Sequence, residues 1–508
     1  MITQSISPTT RKIQFSLLAL LLAFGWGCSD DLPDEVAEEI VEEELIINNE
    51  ITDFIWKGMN ENYYWQADVA DLRDEKDDNF ENYANFLNSF SDPQEFYESL
   101  IYQPGVSDRF SFYINDYQAF DESRRGVGDS FGFDFGVLLL CEGCTEVIGY
   151  VKYVVPNSPA SDAGLKRGDL FSTFNGVELN VDNFRVVNAF FRDDQISLGL
   201  ATIVDGAIQP DGEERLLVIR PVIENPIFSA QVYEDEKGRK VGYLMYKRFR
   251  YTFHEELNDV FGFFKSQGIQ DLILDMRYNP GGTTITAAFL ASMIYGEAGA
   301  NEIFSKVIHN SKISDENFAY PFFNEVYLYD RDTGEYLSEI AMNRLSGLTK
   351  LYVITTEETA SASELIMNGL SPFMDIVQVG TTTFGKNVGS FTLFDSPDFG
   401  PQNVNPNHTV AIQPITFKIF NKNDESDYTQ GFAPDYEIRE FVSEMRPFGD
   451  PEEPLLQATL GIIAGDMSKY NELKSKNVFR KELFKTYDFK PFETDMYLLP
   501  DEQKKFKE

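Results

Sequence analysis

The chain has 508 residues, 43% of them hydrophobic and 14% aromatic, with a formal net charge of −40 at pH 7. That length exceeds one core and sets a prior of two or three globular units, and the apolar content excludes a disordered chain. The acidity excludes a basic surface that neutralises phosphates, so nucleic acid is not an expected partner, and neither is an anionic lipid surface bound by charge.

Arg11 and Lys12 precede an apolar run from Ile13 to Trp26. The run is short for a membrane span, which needs about 20 residues, and it has the proportions of a signal-peptide core. Cys28 follows in "FGWGCSDD", where it resembles the lipid-attachment cysteine of bacterial lipoproteins, although Gly25 and Trp26 depart from that pattern. The resemblance implies a lipoprotein signal over residues 1–28. It also implies a lipid-anchored protein of the bacterial cell envelope, on the periplasmic or cell-surface side. Ordinary cleavage beside an incidental cysteine stays open. Residues 29–43 are dense in Asp and Glu and read as a solvated acidic tether.

Ile51, Phe54, Ile55, Met59 and Tyr63 fall at helical spacing and predict a small helical module over residues 44–118. Over residues 125–222, "SFGFDFGVLLL", "EVIGYVKYVV", "LFSTFNGVEL" and "ERLLVIRPV" read as short strands. Cys141 and Cys144 read as a local disulfide or two inert thiols, since two thiolates do not make a four-ligand zinc site. In "NSPASDAGLKRGDLF" a short helix ends at Gly164, and a turn at Arg167–Asp169 enters a strand; Asn175-Gly176 is a tight-turn dipeptide. This arrangement resembles a PDZ domain of the bacterial protease-associated type. The resemblance implies that Phe131, Gly132 and Phe133, in "SFGF", capture a peptide's C-terminal carboxylate through backbone N–H groups and add the peptide as a strand.

Residues 225–436 alternate strands and helices. "QDLILDMRYNPGG" runs into the helix "TTITAAFLASMIYG", "TKLYVITT" into "SASELIMNGL", and "DIVQVGTTTFGK" into a loop. Such repetition predicts an α/β core with a largely parallel component and functional loops at the carboxyl ends of its strands. Residues 437–508 read as a polar helical tail.

Ser361, in "ETASASEL", falls at a strand-to-helix turn where free N–H groups and the positive end of the helix dipole gather. An attacking serine there would build oxyanion charge beside waiting donors. Equally, Ser361 or Thr359 can cap the helix, with Glu364 completing a capping box. A serine nucleophile needs a base. The three histidines, His254, His309 and His408, lie in no motif tied to Ser361, which leaves a histidine base possible but unsupported. Lys386, in "TTTFGKNVGS", is the other candidate, because a buried amine can lose its proton near neutrality; a plain surface lysine stays open. "DMRYNPGG" ends in a sharp turn whose Gly281 or Gly282 N–H could join that of Ala362 in an oxyanion hole, or simply end the strand.

Together, a strand ending in "NPGG", then "TASASE", then "FGK" with its lysine 25 residues after Ser361, resemble the C-terminal processing peptidases, the tail-specific Ser-Lys serine peptidases. "GFAPDY" at Gly431–Tyr436 adds to the match, which covers about residues 125–440. The resemblance implies a multidomain α+β and α/β fold with a helical N-terminal module, a PDZ-like β domain and a crotonase-like, ClpP-type protease core at 225–436. It implies Ser361 as nucleophile, Lys386 as general base, Ala362 and Gly281 as oxyanion donors and Glu364 as a supporting acid. Many members carry Gln four residues after the lysine. Ser390 stands there in this chain, so it, Thr382 or Asn387 would hold Lys386. The expected substrates are proteins or peptides, engaged through their C-termini, with no metal, nucleotide or other cofactor. A non-catalytic peptide or small-ligand carrier on the same scaffold is the rival reading.

Overall fold

The computed structural model describes residues 46–299, 301–476, 481–486, 495–500 and 502. The signal segment, Cys28 and the acidic tether lie outside the described residues. The core is organised around a six-stranded sheet. Its central strands Lys240–Tyr246, Asp271–Asp275, Lys350–Thr355 and Asp375–Gly380 run parallel, with Ile227–Glu234 antiparallel at one edge and Tyr436–Glu437 parallel at the other. The strands alternate apolar residues toward two cores, as a period of two requires. Leu272, Leu274, Leu351 and Val353 face one, and Ile273, Tyr352 and Ile354 face the other.

The first face packs on the helices His254–Gln267, Thr284–Ile294 and Ala362–Leu370. Every residue of the latter two is buried, because a second six-stranded sheet covers them from beyond and contributes Phe304, Val307, Phe417 and Ile419 to the same core. The opposite face of the first sheet is covered by the helices Pro454–Ala464 and Ser468–Ser475 through Leu455, Leu456, Ala458 and Leu473. Parallel strands buried on both faces need this double cover.

Residues 50–99 supply the helices Glu50–Asn62, Phe80–Asn88 and Pro93–Ser99. Their buried Phe54, Ile55, Met59 and Tyr63 pack against Val388, Leu393, Ile412 and Ile415 of the core. Residues 133–218 build an antiparallel sheet with its own aromatic core of Phe133, Phe135, Phe171 and Phe174. Cys141 and Cys144 are joined by a disulfide in the turn between its first two strands. Residues 46–508 cluster as one compact unit.

The tail differs from its helical expectation. After two helices, Lys481–Lys485 forms a strand that pairs antiparallel with Phe133–Leu139, and Met496–Tyr497 forms another inside the second sheet of the core. Both strands are too short to show a period in sequence, and each is formed by the partner strands it meets, through tertiary context rather than propensity.

Candidate active site

Two strand ends meet at the site. The turn after Asp271–Asp275 carries Asn279, Gly281 and Gly282, and the turn after Lys350–Thr355 carries Thr359 to Ser361. Hydrogen bonds stitch them together. Ala360 N–H and Ser363 Oγ both donate to the Asn279 carbonyl, at 3.0 and 3.1 Å, and Thr359 Oγ1 donates to the Met276 carbonyl at 2.9 Å. The Asn279 side chain fixes the first turn from within, donating to the Tyr246 carbonyl at 2.8 Å and accepting from Gly281 N–H at 3.0 Å.

Ser361 is fully buried and precedes the helix Ala362–Leu370 with φ 63° and ψ −119°. A positive φ on a residue with a side chain is strained by about 1–3 kcal/mol and persists only where the surroundings enforce it. Tyr278, in the facing turn, also has a positive φ, of 59°. Among the described residues the Ser361 hydroxyl makes no hydrogen bond. Ser361 and Glu364 face each other as a capping box: Glu364 Oε2 accepts from Ser361 N–H at 2.9 Å, and the serine oxygen lies toward the Glu364 N–H without completing a hydrogen bond. A buried hydroxyl without a full hydrogen bond costs about 1–3 kcal/mol.

Glu364 draws the lysine loop to the serine. The oxygen that holds Ser361 N–H also accepts from Lys386 N–H at 2.8 Å. The other oxygen accepts from Gly385 N–H at 2.7 Å and Thr383 Oγ1 at 2.6 Å. Four donors on one buried carboxylate match its lone pairs. Burial pushes the carboxyl up to about 7, opposed by the hydrogen bonds from Thr383, Lys386, Ser361 and Gly385.

Lys386 is buried, so the plain surface lysine is excluded. Burial draws its ammonium down to about 8; Asp495 and then Asp108 oppose this, and Arg109 and Arg124 act with it. Its Nζ lies 4.6 Å from the centre of the Phe110 ring and 3.9 Å from Asp495 Oδ1. Ser390 Oγ donates to that same Asp495 oxygen at 2.8 Å and accepts from Gln413 Nε2 at 2.8 Å. Asn387 Nδ2, by contrast, faces Ser426.

The histidines are engaged elsewhere. Both ring nitrogens of His254 are bonded, to the Tyr327 carbonyl and Thr286 Oγ1, and burial lowers its pKa to about 4. His408 Nε2 lies 2.9 Å from Asp395 Oδ2, and His309 Nδ1 lies 3.2 Å from the Thr416 carbonyl.

Ala362 opens the serine helix, so its N–H is among the orphan donors of a helix start. Gly281 lies against the serine: a methyl there would sit 2.6 Å from Ser361 Cβ, 2.7 Å from Ser361 Oγ and 3.0 Å from Ala362 N. Its N–H is bonded to Asn279 Oδ1 and does not stand free in this structure. Gly132 likewise differs from an open carboxylate loop. Its N–H donates to Ser130 Oγ at 2.9 Å, and the carbonyls of Phe131 and Gly132 accept from Ala160 and Val155 N–H. Phe131 and Phe133 are buried in the aromatic core beneath.

Sequence reasoning passed over Asn279, Thr383, Gln413 and Asp495. Asn279 stood inside the quoted turn but as a turn residue only, whereas Gln413 and Asp495 belong to no pattern, since only folding places Asp495 beside Lys386 and Gln413 beside Asp495.

The peptidase family S41 model matches residues 240–438 and the peptidase S41 N-terminal domain model residues 50–112, together about half of the chain. A carboxyl-terminal-processing protease of Synechocystis sp. is 23% identical over 61% of this chain and 64% of its own length. The carboxy-terminal processing protease CtpA of Bacillus subtilis is 26% identical over 55% of this chain and 52% of its own length. The chain thus spans between half and two thirds of the length of these two relatives. A crystal structure of a protein assigned as an S41 protease from Bacteroides fragilis NCTC 9343 is 24% identical, covers 81% of this chain and 97% of that one, and superposes with a TM-score of 0.62. The chain belongs to peptidase family S41.

Proposed function

We propose that the protein is a serine endopeptidase of the C-terminal processing type, working through Ser361 and Lys386. The observation that carries this reading is the shared Glu364 oxygen, which holds the backbone of both residues while the buried Ser361 hydroxyl completes no hydrogen bond among the described residues. The Ser361 oxygen attacks the substrate carbonyl carbon and its proton passes to neutral Lys386. The carbonyl oxygen becomes an oxyanion facing Ala362 N–H, with Gly281 N–H joining once it turns from Asn279. Collapse breaks the peptide bond, and Lys386 returns the proton to the leaving amine. Water then attacks the acyl-enzyme with Lys386 again as base, freeing the acid and restoring the serine.

In this reading the PDZ-like segment at 125–222 engages the substrate's C-terminus, after its carboxylate displaces Ser130 from Gly132. The crotonase-like core does the chemistry, and a lipid on Cys28 holds the enzyme in the bacterial cell envelope. The purified protein is expected to cleave unfolded protein. Ser361→Ala and Lys386→Ala should each reduce cleavage at least a thousandfold with an unchanged circular dichroism spectrum; undiminished cleavage by either variant overturns the dyad. Labelling with radioactive palmitate, lost in Cys28→Ala, tests the anchor.

A further inference from the structure

We propose that Asp495, brought in by the strand Met496–Tyr497, is a positioning residue for Lys386, its carboxylate fixing the amine that receives the serine proton. The inference rests on the Ser361–Lys386 reading and names a part of that site which the catalytic motifs do not contain.

The geometry is that of a held carboxylate. Ser390 Oγ donates to Asp495 Oδ1 at 2.8 Å, and Gln413 Nε2 reaches both Ser390 Oγ, at 2.8 Å, and Asp495 Oδ2, at 3.4 Å. Arg124 forms an ion pair with Oδ2. Three donors thus set the orientation of the carboxylate, and the oxygen bound to Ser390 is the one 3.9 Å from Lys386 Nζ. Asp495 and Lys386 are both buried, so the pair acts with little solvent screening. A flexible four-carbon stem ending in a buried amine needs such a support to stay aimed at one hydroxyl. The charged groups acting on Lys386 are Asp495 and Asp108, which favour the ammonium, and Arg109 and Arg124, which disfavour it.

The strand that follows Asp495 is built into the same place. Met496 and Tyr497 pair in parallel with Gly282 and Thr283 of the turn facing the serine, and Tyr497 pairs with Ser390 of the lysine strand Val388–Ser390. Leu498 N–H donates to the Ser390 carbonyl at 3.1 Å. Gly389 permits this approach, because a methyl there would lie 2.7 Å from the Met496 carbonyl oxygen. Arg124 closes the arrangement from above, its guanidinium 3.7 Å from the centre of the Tyr497 ring.

The test is kcat/KM for fluorescent casein against pH, with the full chain. In the wild type kcat/KM rises as Lys386 loses its proton. Asp495→Asn removes an anion that favours the ammonium, so the rise should move about one unit to lower pH. The plateau kcat should fall about tenfold with KM changed less than twofold, and Asp495→Glu should return the rise toward its wild-type position. Arg124→Gln removes a cation that disfavours the ammonium and should move the rise the opposite way; it decides the matter if Asp495→Asn does not fold. A uniform loss at every pH in these variants, or unshifted profiles, overturns the inference. If Ser361→Ala is inert while both profiles stay put, only the role of Asp495 fails; if Ser361→Ala still cleaves, the Ser-Lys reading fails with it.

Discussion

Glu364 shows how much can depend on one side chain. It lies on the helix that Ser361 opens, yet three of its four hydrogen bonds go to the loop carrying Lys386. Glu364→Gln keeps the shape but turns an amide NH2 toward N–H groups, leaving at least one buried donor unpaired. We expect a loss of about 3 kcal/mol in urea unfolding and of most activity. At Lys386 the sign of the pH effect follows from the role. The neutral amine is the base, and burial lowers its pKa to about 8, so kcat/KM should climb as pH passes through that value rather than near the usual 10.4. A profile already flat between pH 6 and 9 would contradict a lysine base.

At the scale of elements, the site is two turns held in unfavourable conformations against one another. Gly281 has φ +111° and lies against Ser361 and Ala362 N. Gly281→Ala adds both backbone strain and a clash, and should abolish cleavage while the melting temperature falls by only a few degrees. These turns were legible in sequence, because an apolar run ending in Asn-Pro-Gly-Gly and a run of small residues before an amphipathic helix are local signals. Lys386 was legible through its spacing from Ser361. The positive φ of Ser361 was not, since nothing in "TASAS" calls for it; it arises where Asn279 and Glu364 clamp the turn from either side. Neither were the strands of the tail, whose pairing partners lie more than 100 residues away in sequence. The committed N–H of Gly132 and Gly281 likewise depend on the neighbours Ser130 and Asn279, whose side chains a motif does not orient.

Across the whole molecule, buried ion pairs join the residue 125–222 segment to the core. Lys152, on the strand Val147–Val154, pairs with Glu358, three residues before Ser361. Arg167 pairs with Glu440, which also binds the fully buried Arg277 at 2.9 Å; Arg277 in turn binds Asp275 and Glu453, each at 2.7 Å. Breaking one member strands its partner's charge in a dry interior. Lys152→Met should therefore cost about 3–5 kcal/mol, measured by chemical denaturation, whereas Lys152→Met with Glu358→Gln should recover part of that loss. If the double variant is no more stable than the single one, the pair is not what holds these residues.

Synthesis proceeds from one end of a polypeptide to the other, and that order matters for the strand Met496–Tyr497. When Ser361 and Lys386 emerge from the ribosome, more than 100 residues are still to come before Asp495 arrives. A nascent chain would thus carry the hydroxyl and the amine before the carboxylate that faces the amine has been made, and the pocket around Lys386 closes only when the strand Met496–Tyr497 is added.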